Sequence, residues 1–260
     1  AYDQAANLLR DELTKDIGPL YRTKCTICGN EKAHVKYFLW VKIIGCQHCG
    51  KDINLFPGYL LSSDARHPKN VFVCPSCGQL SETDNRKNPG KCRHCGVSLS
   101  LKGLAARNRC RCPHCEKENL FPDASLGPPR HRLFAMEYHC PSCKSGHAGR
   151  FFKAPDDQDL GRVAESEVRW AKLQSRFVPD EEIPSGDETN RLHRWGYKRY
   201  REMFNARQLL GLELSARIIS GIANERVRNA LATNLSDLLR YQNMLCRYDT
   251  IALKSLDIFS

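Results

Sequence analysis

The central part of the chain reads CPSCGQLSETDNRKNPGKCRHC over residues 74–95, two Cys-x-x-Cys pairs with 14 residues between them. Each pair presents two thiolates from one tight turn, and two such turns complete a closed, four-coordinate zinc site. Six pairs hold twelve of the 14 cysteines: Cys25/Cys28, Cys46/Cys49, Cys74/Cys77, Cys92/Cys95, Cys112/Cys115 and Cys140/Cys143. The spacing predicts three structural Cys₄ sites with about three Zn²⁺ ions per chain, which leave no open position for a substrate.

Other uses of cysteine fit this sequence less well. A disulfide scaffold is typical of a short secreted chain behind a signal peptide, whereas this one opens Ala1-Tyr2-Asp3-Gln4 without an apolar leader. Its longest apolar stretch, Phe38 to Val41 and then Ile43-Ile44 after Lys42, is far below the roughly 20 residues that span a bilayer. We therefore expect a cytoplasmic protein without a membrane partner.

The way in which the pairs combine is open, because the zinc region contains an internal duplication. The first three pairs recur as the last three, shifted by 66 or 67 positions, and the words Asn54-Leu55-Phe56-Pro57 recur as Asn119-Leu120-Phe121-Pro122. Neighbours in order would join the first pair to the second, the third to the fourth and the fifth to the sixth. Strict repeat symmetry would join the second to the third, the fifth to the sixth and the first to the fourth. We favour neighbours in order.

Several cysteines and histidines lie outside this scheme. With twelve cysteines filling three sites, the histidines near the turns are interpreted as solvated or hydrogen-bonded: His48, His94, His114, His139 and His147. Cys110 could replace a neighbouring ligand, because it precedes Cys112 by two residues. Cys246 lies at helical spacing among leucines, where a small buried hydrophobe is expected.

The patterns predict an α+β fold, with tandem Cys₄ zinc ribbons of small antiparallel β structure followed by a helical region. Strands are expected over Val35–Ile44, Val71–Val73 and Met136–Tyr138, and helices over Tyr2–Lys15, Val163–Ser175, Asn205–Ser220 and Asn224–Tyr248. The predicted units are an N-terminal helix (1–19), three ribbons from a duplicated unit (20–150), a wrapping linker (151–190), and a basic segment with a helical hairpin (191–260).

Charge points to a polyanionic partner. The formal net charge is +11, and the densest basic run interleaves cations with Trp195, Tyr197 and Tyr200, which suits phosphate contacts and base stacking. The candidate nucleic-acid contacts are Arg191, Arg194, Lys198, Arg199, Arg201 and Arg207. The alternative is a solvated helix start whose aromatic side chains pack inward.

Longer words in the chain resemble a family of large adenine-specific DNA methylases that carry a zinc-ribbon insertion and often lie in prokaryotic anti-phage islands. These words are Asn54-Leu55-Phe56-Pro57, Pro128-Pro129-Arg130-His131-Arg132-Leu133-Phe134-Ala135, Phe152-Lys153-Ala154-Pro155-Asp156, Arg194-Trp195-Gly196-Tyr197, Met203-Phe204-Asn205-Ala206-Arg207-Gln208-Leu209 and Arg240-Tyr241-Gln242-Asn243-Met244-Leu245-Cys246-Arg247-Tyr248-Asp249. The similarity extends over nearly the whole chain.

The resemblance implies a parent enzyme that binds S-adenosylmethionine (SAM) and methylates DNA. In that family a glycine motif for SAM lies upstream of the zinc region and an Asp-Pro-Pro-Tyr motif lies downstream of the helices. Neither motif is present in this sequence. The expectation is therefore an internal, non-catalytic fragment that bridges the missing methyltransferase segments and contacts DNA. Two alternatives are a stand-alone zinc-ribbon nucleic-acid-binding protein and a structural insert that recruits a partner protein.

Overall fold

A computed structural model describes residues 1–143 and 147–258 of the chain. Its α-helices are α1 Tyr2–Asp16, α2 Asp157–Lys172, α3 Asn190–Arg194, α4 Ala206–Ser220 and α5 Glu225–Leu238. Its strands are β1 Arg22–Thr23, β2 Ala33–Gly45, β3 Asp52–Asn54, β4 Leu60–Ser62, β5 Asn70–Val73, β6 Leu80–Thr83, β7 Ala105–Ala106, β8 Arg109–Arg111, β9 Glu118–Leu120, β10 Arg130–His139, β11 Arg150–Lys153, β12 Tyr248–Asp249 and β13 Lys254–Ser255. The strand pairs are antiparallel, so the predicted α+β class is confirmed.

The main sheet is built on one long antiparallel pair, β2 with β10. Its strand order is β1-β2-β10-β11, and β3 pairs with the end of β2. The register runs from Ile43 opposite Arg130 to His34 opposite His139, with two irregularities along β10. Antiparallel pairing places the residues that precede β2 beside those that follow β10. The two strands therefore join parts of the chain about a hundred positions apart.

Two three-stranded sheets complete the zinc region, β4-β5-β6 and β7-β8-β9. Strand β5 is buried along its whole length and leads directly into Cys74. Phe72 and Val73 share a small apolar cluster with Cys74 and Cys92, and Ile53 and Leu55 share another with the cysteines around Cys112. Each core is thus small and contains sulfur, as expected for a region that relies on metal for much of its stability.

The N-terminal helix packs against the C-terminal helices. Ile17 and Leu20 contact Leu210 and Leu214 of α4, while Leu9 packs beside the cluster of Ile219, Val227 and Leu231 that joins α4 to α5. The apolar stripes predicted for these helices therefore form helix-packing core. Within the described part of the chain, no helix is both long enough and apolar enough to cross a membrane.

Helix α4 begins where the sequence predicts, and α5 ends earlier. Asn205 caps α4, because its side chain accepts from the Gln208 amide at 3.0 Å while the Gln208 side chain accepts from the Asn205 amide at 2.9 Å. Helix α5 stops at Leu238, so the predicted extension to Tyr248 is wrong. Tyr248 instead begins the short β12–β13 pair, and its hydroxyl donates to the buried Glu137 of β10.

Candidate metal centres

The structure gathers the twelve paired cysteines into three tetrads, which we name by position. The outer tetrad is Cys25, Cys28, Cys140 and Cys143; the middle tetrad is Cys46, Cys49, Cys112 and Cys115; the central tetrad is Cys74, Cys77, Cys92 and Cys95. The central pairing is the one predicted. The pairing of neighbours in order is wrong for the other eight cysteines, and strict repeat symmetry fails as well.

The pairs are nested, first with sixth and second with fifth, because β2 and β10 run antiparallel. The outer tetrad forms where the chain enters β2 and leaves β10, and the middle tetrad forms beyond the opposite ends of the two strands. Each tetrad therefore takes one Cys-x-x-Cys turn from each half of the duplication. Long-range strand pairing, and not distance along the chain, selects the partners.

The sulfur positions fit a tetrahedral zinc ion. Four thiolates at Zn–S bonds of 2.3 Å lie about 3.8 Å from one another. Across the pairs, Sγ–Sγ distances are 3.9 and 3.7 Å in the outer tetrad, 3.6 and 3.7 Å in the middle one, and 3.5 and 3.7 Å in the central one. A disulfide would need about 2.05 Å. The donor set and spacing thus suggest about three zinc ions per chain.

In four turns a backbone amide lies 3.4 Å from the first sulfur, at Cys25, Cys46, Cys92 and Cys112. In the outer tetrad the Ile27 amide lies 3.4 Å from Cys25 Sγ, and the Gly29 amide closes the turn by donating to the Cys25 carbonyl at 3.0 Å. Gly29 has a φ of 72°, the left-handed conformation that glycine adopts without steric cost. At the equivalent place in the middle tetrad, Glu116 adopts a φ of 60°, where a side chain is strained.

The thiol pKa values show how strongly four sulfurs at this distance interact. Burial raises the pKa of Cys92, whereas hydrogen bonds from the backbone amides of His94 and Cys95 lower it. The lowering effect is the larger overall, and the pKa falls to about 6. For Cys77, burial and then the neighbouring Cys95, Cys74 and Cys92 raise the pKa to about 12, against a smaller opposite effect of the Gln79 amide. Because nearby thiolates repel, a divalent cation is what allows all four to ionise together.

The unpaired cysteines do not join the tetrads. Cys110 is buried beside Ile53, and burial raises its pKa to about 11, so it packs as a neutral thiol. Cys246 is half-buried, and its thiol lies 3.2 Å from the Arg240 carbonyl. Among the predicted bystander histidines, His48 contacts the Glu118 carbonyl at 3.0 Å. His147 is different, because it lies with His67 and Glu82 in a further cluster of possible metal ligands.

The predicted nucleic-acid residues do not form one free basic surface. Arg199 and Arg201 contact the Asp180 carboxylate at 2.9 and 2.8 Å, and Arg199 also pairs with Glu182 at 3.5 Å. Arg207 is only 6% exposed, and its guanidinium lies 3.3 Å from the centre of the Phe38 ring. Its burial does not support the prediction that it contacts nucleic acid. Arg199 and Arg201 are already partly neutralised.

The rest of this run is divided between the surface and the interior. Arg191, Arg194 and Lys198 are exposed, so a nucleic-acid role for them stays a prediction. Trp195 packs beside Phe121 and beneath the Lys42 ammonium, and Tyr197 is fully buried. Two of the three aromatic rings thus pack inward, as the alternative interpretation describes, and Tyr200 is partly exposed.

The segment that follows β6 and includes the second turn of the central tetrad carries a different basic cluster. We call residues 84–95 the central ribbon tip. Its four cations are exposed and form no ion pair with a carboxylate among residues 1–143 and 147–258: Arg86, Lys87, Lys91 and Arg93. The Asn85 side chain accepts from the amides of Lys87 and Asn88, both at 3.0 Å, and so orders the start of the loop.

No protein-family model, curated protein or solved structure matches the chain.

Proposed function

We propose that this chain is the zinc-ribbon and helical bridging portion of a SAM-dependent, adenine-specific DNA methyltransferase and that it contributes DNA binding. The methyltransferase part of the proposal depends on the sequence resemblance. The DNA-binding part is carried by one structural observation, the four unpaired cations of the central ribbon tip. SAM and the catalytic residues belong to the parent enzyme, since no position in this chain matches their motifs.

The arrangement of the tip explains how it would hold a phosphate backbone. The tip follows β6 and ends in the second turn of the central tetrad, which supplies Cys92 and Cys95. Four cations on a loop anchored in this way lose less conformational freedom on binding than cations on a free chain. Each neutralised phosphate releases counterions, which favours association at low salt.

Such contacts suit the chemistry of the proposed parent. Methylation of the adenine exocyclic amine requires the base to leave the duplex, which costs a few kcal/mol. Contacts elsewhere on the DNA offset that cost without touching the reacting atoms. The exposed cations of the central ribbon tip would supply contacts of this kind.

The test compares two variants that each remove two positive charges. Duplex DNA binding is followed by fluorescence anisotropy over a series of salt concentrations. Lys87→Ala with Arg93→Ala changes the tip, and Lys15→Ala with Lys172→Ala changes exposed lysines on α1 and α2. We expect the tip variant to flatten the dependence of log K on log salt by about 0.9 per lost phosphate contact. The helix variant should match the wild type.

The outcomes separate the alternatives. Equal salt slopes for wild type and tip variant would reject the tip as the DNA contact, and a smaller slope for Arg191→Ala with Arg194→Ala would transfer that role to the α3 segment. Negligible affinity of the wild-type chain for DNA and RNA at low salt would favour the structural insert. Methyl transfer from labelled SAM by the product of the complete coding sequence tests the parentage, because a stand-alone binding protein would show none.

A further inference from the structure

Three side chains from separate parts of the chain meet beside the central ribbon. His67 lies between β4 and β5, Glu82 lies in β6, and His147 lies just before β11. One possible ligand atom from each residue lies within 4.8 Å of the other two. His147 Nε2 is 3.8 Å from Glu82 Oε1. Two imidazoles and a carboxylate are the donors that first-row divalent ions use.

The buried His67 ring is oriented like that of a metal ligand. Its Nδ1 lies 2.8 Å from the Lys69 carbonyl and 3.3 Å from the Lys69 amide. The shorter contact assigns the proton to Nδ1, because a carbonyl oxygen only accepts. Nε2 then carries a lone pair. Histidines that bind a metal commonly donate a hydrogen bond from the other ring nitrogen to a backbone carbonyl.

Among residues 1–143 and 147–258, that lone pair has no protein partner. His67 is 3% exposed, and its Nε2 is buried without a hydrogen bond, as is Nδ1 of His147. A buried polar atom without a partner costs about 1–3 kcal/mol. The His67 ring cannot turn freely to relieve this, since it stacks on His147 at 4.7 Å and meets the edge of Phe152 at 5.5 Å.

The backbone adds an independent sign of constraint. His147 has a φ of 47°, a conformation that costs a residue with a side chain about 1–3 kcal/mol and that concentrates at functional sites. The left-handed turn brings the His147 ring to the other two residues. The unpartnered Nε2 of His67 and the strained residue His147 thus belong to the same three-residue cluster.

We propose that His67, Glu82 and His147 form a fourth cation site, selective for Zn²⁺ or a similar divalent ion, with His67 binding through Nε2. Ligand atoms around a tetrahedral ion at bonds of 2.0–2.1 Å lie about 3.3 Å apart. The ligand atoms lie within 4.8 Å of one another, so binding an ion requires His147 and the partly exposed Glu82 side chain to move towards His67, whose ring is held by its packing. Three protein ligands leave one position for a solvent molecule, and the site opens to solvent through Glu82, whose side chain is 39% exposed.

The site would join two sheets that also pack against each other through Leu39 and Ala135 of the main sheet and Leu61 and Val71 of the central ribbon. Glu82 belongs to the sheet of the central ribbon, and His147 leads into β11 of the main sheet. An ion between them would fix the orientation of the central ribbon relative to the β2–β10 pair. Its chemistry differs from that of the tetrads, which are all sulfur and have no open position.

The test is a metal count on the full chain, loaded with excess Zn²⁺ and freed of loosely bound ions. Native mass spectrometry should show four zinc ions in the wild type and three in His67→Ala and in Glu82→Gln, the latter nearly isosteric. His34→Ala, an exposed histidine of β2, should keep four. In a cobalt-loaded sample, the fourth ion should add no thiolate charge-transfer absorption.

A wild-type count of three under saturating Zn²⁺ would overturn the proposal. So would a count of four that persists in Glu82→Gln, because the additional ion would then lie elsewhere. If His67→Ala fails to fold, as judged by circular dichroism, the wild-type and Glu82→Gln counts still decide the question. The result is independent of DNA binding.

Discussion

The nested pairing of the cysteine turns makes a prediction about metal stoichiometry that neighbour pairing reverses. Cys28→Ser with Cys143→Ser removes two ligands from one tetrad, whereas Cys28→Ser with Cys49→Ser removes one ligand from each of two tetrads. Nested pairing therefore predicts two intact Cys₄ sites in the first double variant and one in the second. Neighbour pairing would place Cys28 and Cys49 in one site and predict the opposite order.

The energies involved make this difference large. A structural zinc ion contributes about 10 kcal/mol or more of apparent folding free energy. A tetrad that lacks one of its four cysteines binds the ion less tightly, and we expect it to release the ion before the rest of the protein unfolds. Nested pairing itself has an entropic cost. Cys28 meets Cys140 across 112 positions, while Cys46 lies only 18 positions away in sequence, and the longer loop costs about 1.6 kcal/mol more to close. A few hydrogen bonds between β2 and β10, each worth about 1 kcal/mol, are enough to offset this.

The assay counts Cys₄-bound zinc by native mass spectrometry and thiolate-to-cobalt absorption after metal exchange. Cys28 and Cys49 are exposed and Cys143 is half-exposed, so serine at these positions opens no buried cavity. The matched control is Cys110→Ser, which lies outside the tetrads and should leave all three sulfur sites intact. Loss of more metal from Cys28/Cys143 than from Cys28/Cys49 would refute the nested arrangement.

Three further predictions concern stability. Glu116→Gly should stabilise the zinc-loaded protein by about 1 kcal/mol in chemical denaturation, since glycine relieves the left-handed strain at φ 60°; a loss of stability would contradict the assigned turn. Asp159→Ala should cost about 1–3 kcal/mol, because it removes the 2.9 Å carboxylate partner of the buried Lys153 ammonium while Asp156, at 2.6 Å, still pairs with it, and a cost below about 1 kcal/mol would count against the buried network. Burial raises the pKa of Glu213, whereas four hydrogen bonds to its carboxylate lower it, from the amides of Arg176, Phe177 and Val178 and from the Ser175 hydroxyl. The hydrogen bonds outweigh burial, so the pKa of Glu213 lies below its ordinary value. The stabilising contribution of Glu213 is therefore present above the unfolded pKa of about 4.3 and is lost as the pH falls through the folded pKa. Glu213→Gln should lower the melting temperature at pH 7, and in acid its melting temperature should approach that of the wild type. The same difference in melting temperature at pH 7 and in acid would be inconsistent with this role.

Local sequence determines those features that depend on a few consecutive residues. A Cys-x-x-Cys turn is closed by hydrogen bonds within a few residues, such as that from the Gly29 amide to the Cys25 carbonyl. The metal-ligand pairs can therefore be recognised from their spacing in the sequence, without knowledge of the fold. The start of α4 is visible for the same reason, since Asn205 and Gln208 cap each other across one turn. The central tetrad joins two turns that are close in the chain, and it too was predicted correctly.

The tertiary structure decides every feature that depends on residues distant in sequence. The partners of the outer and middle tetrads follow from the pairing of β2 with β10, whose strength lies in hydrogen bonds and packing between segments that spacing does not relate. Arg207 is basic in any sequence window, yet Phe38 of β2 covers it. His67, Glu82 and His147 share no local motif and become neighbours only when two sheets pack together. Short-range geometry is encoded in adjacent residues, whereas the choice among distant partners is made by the free energy of the whole fold.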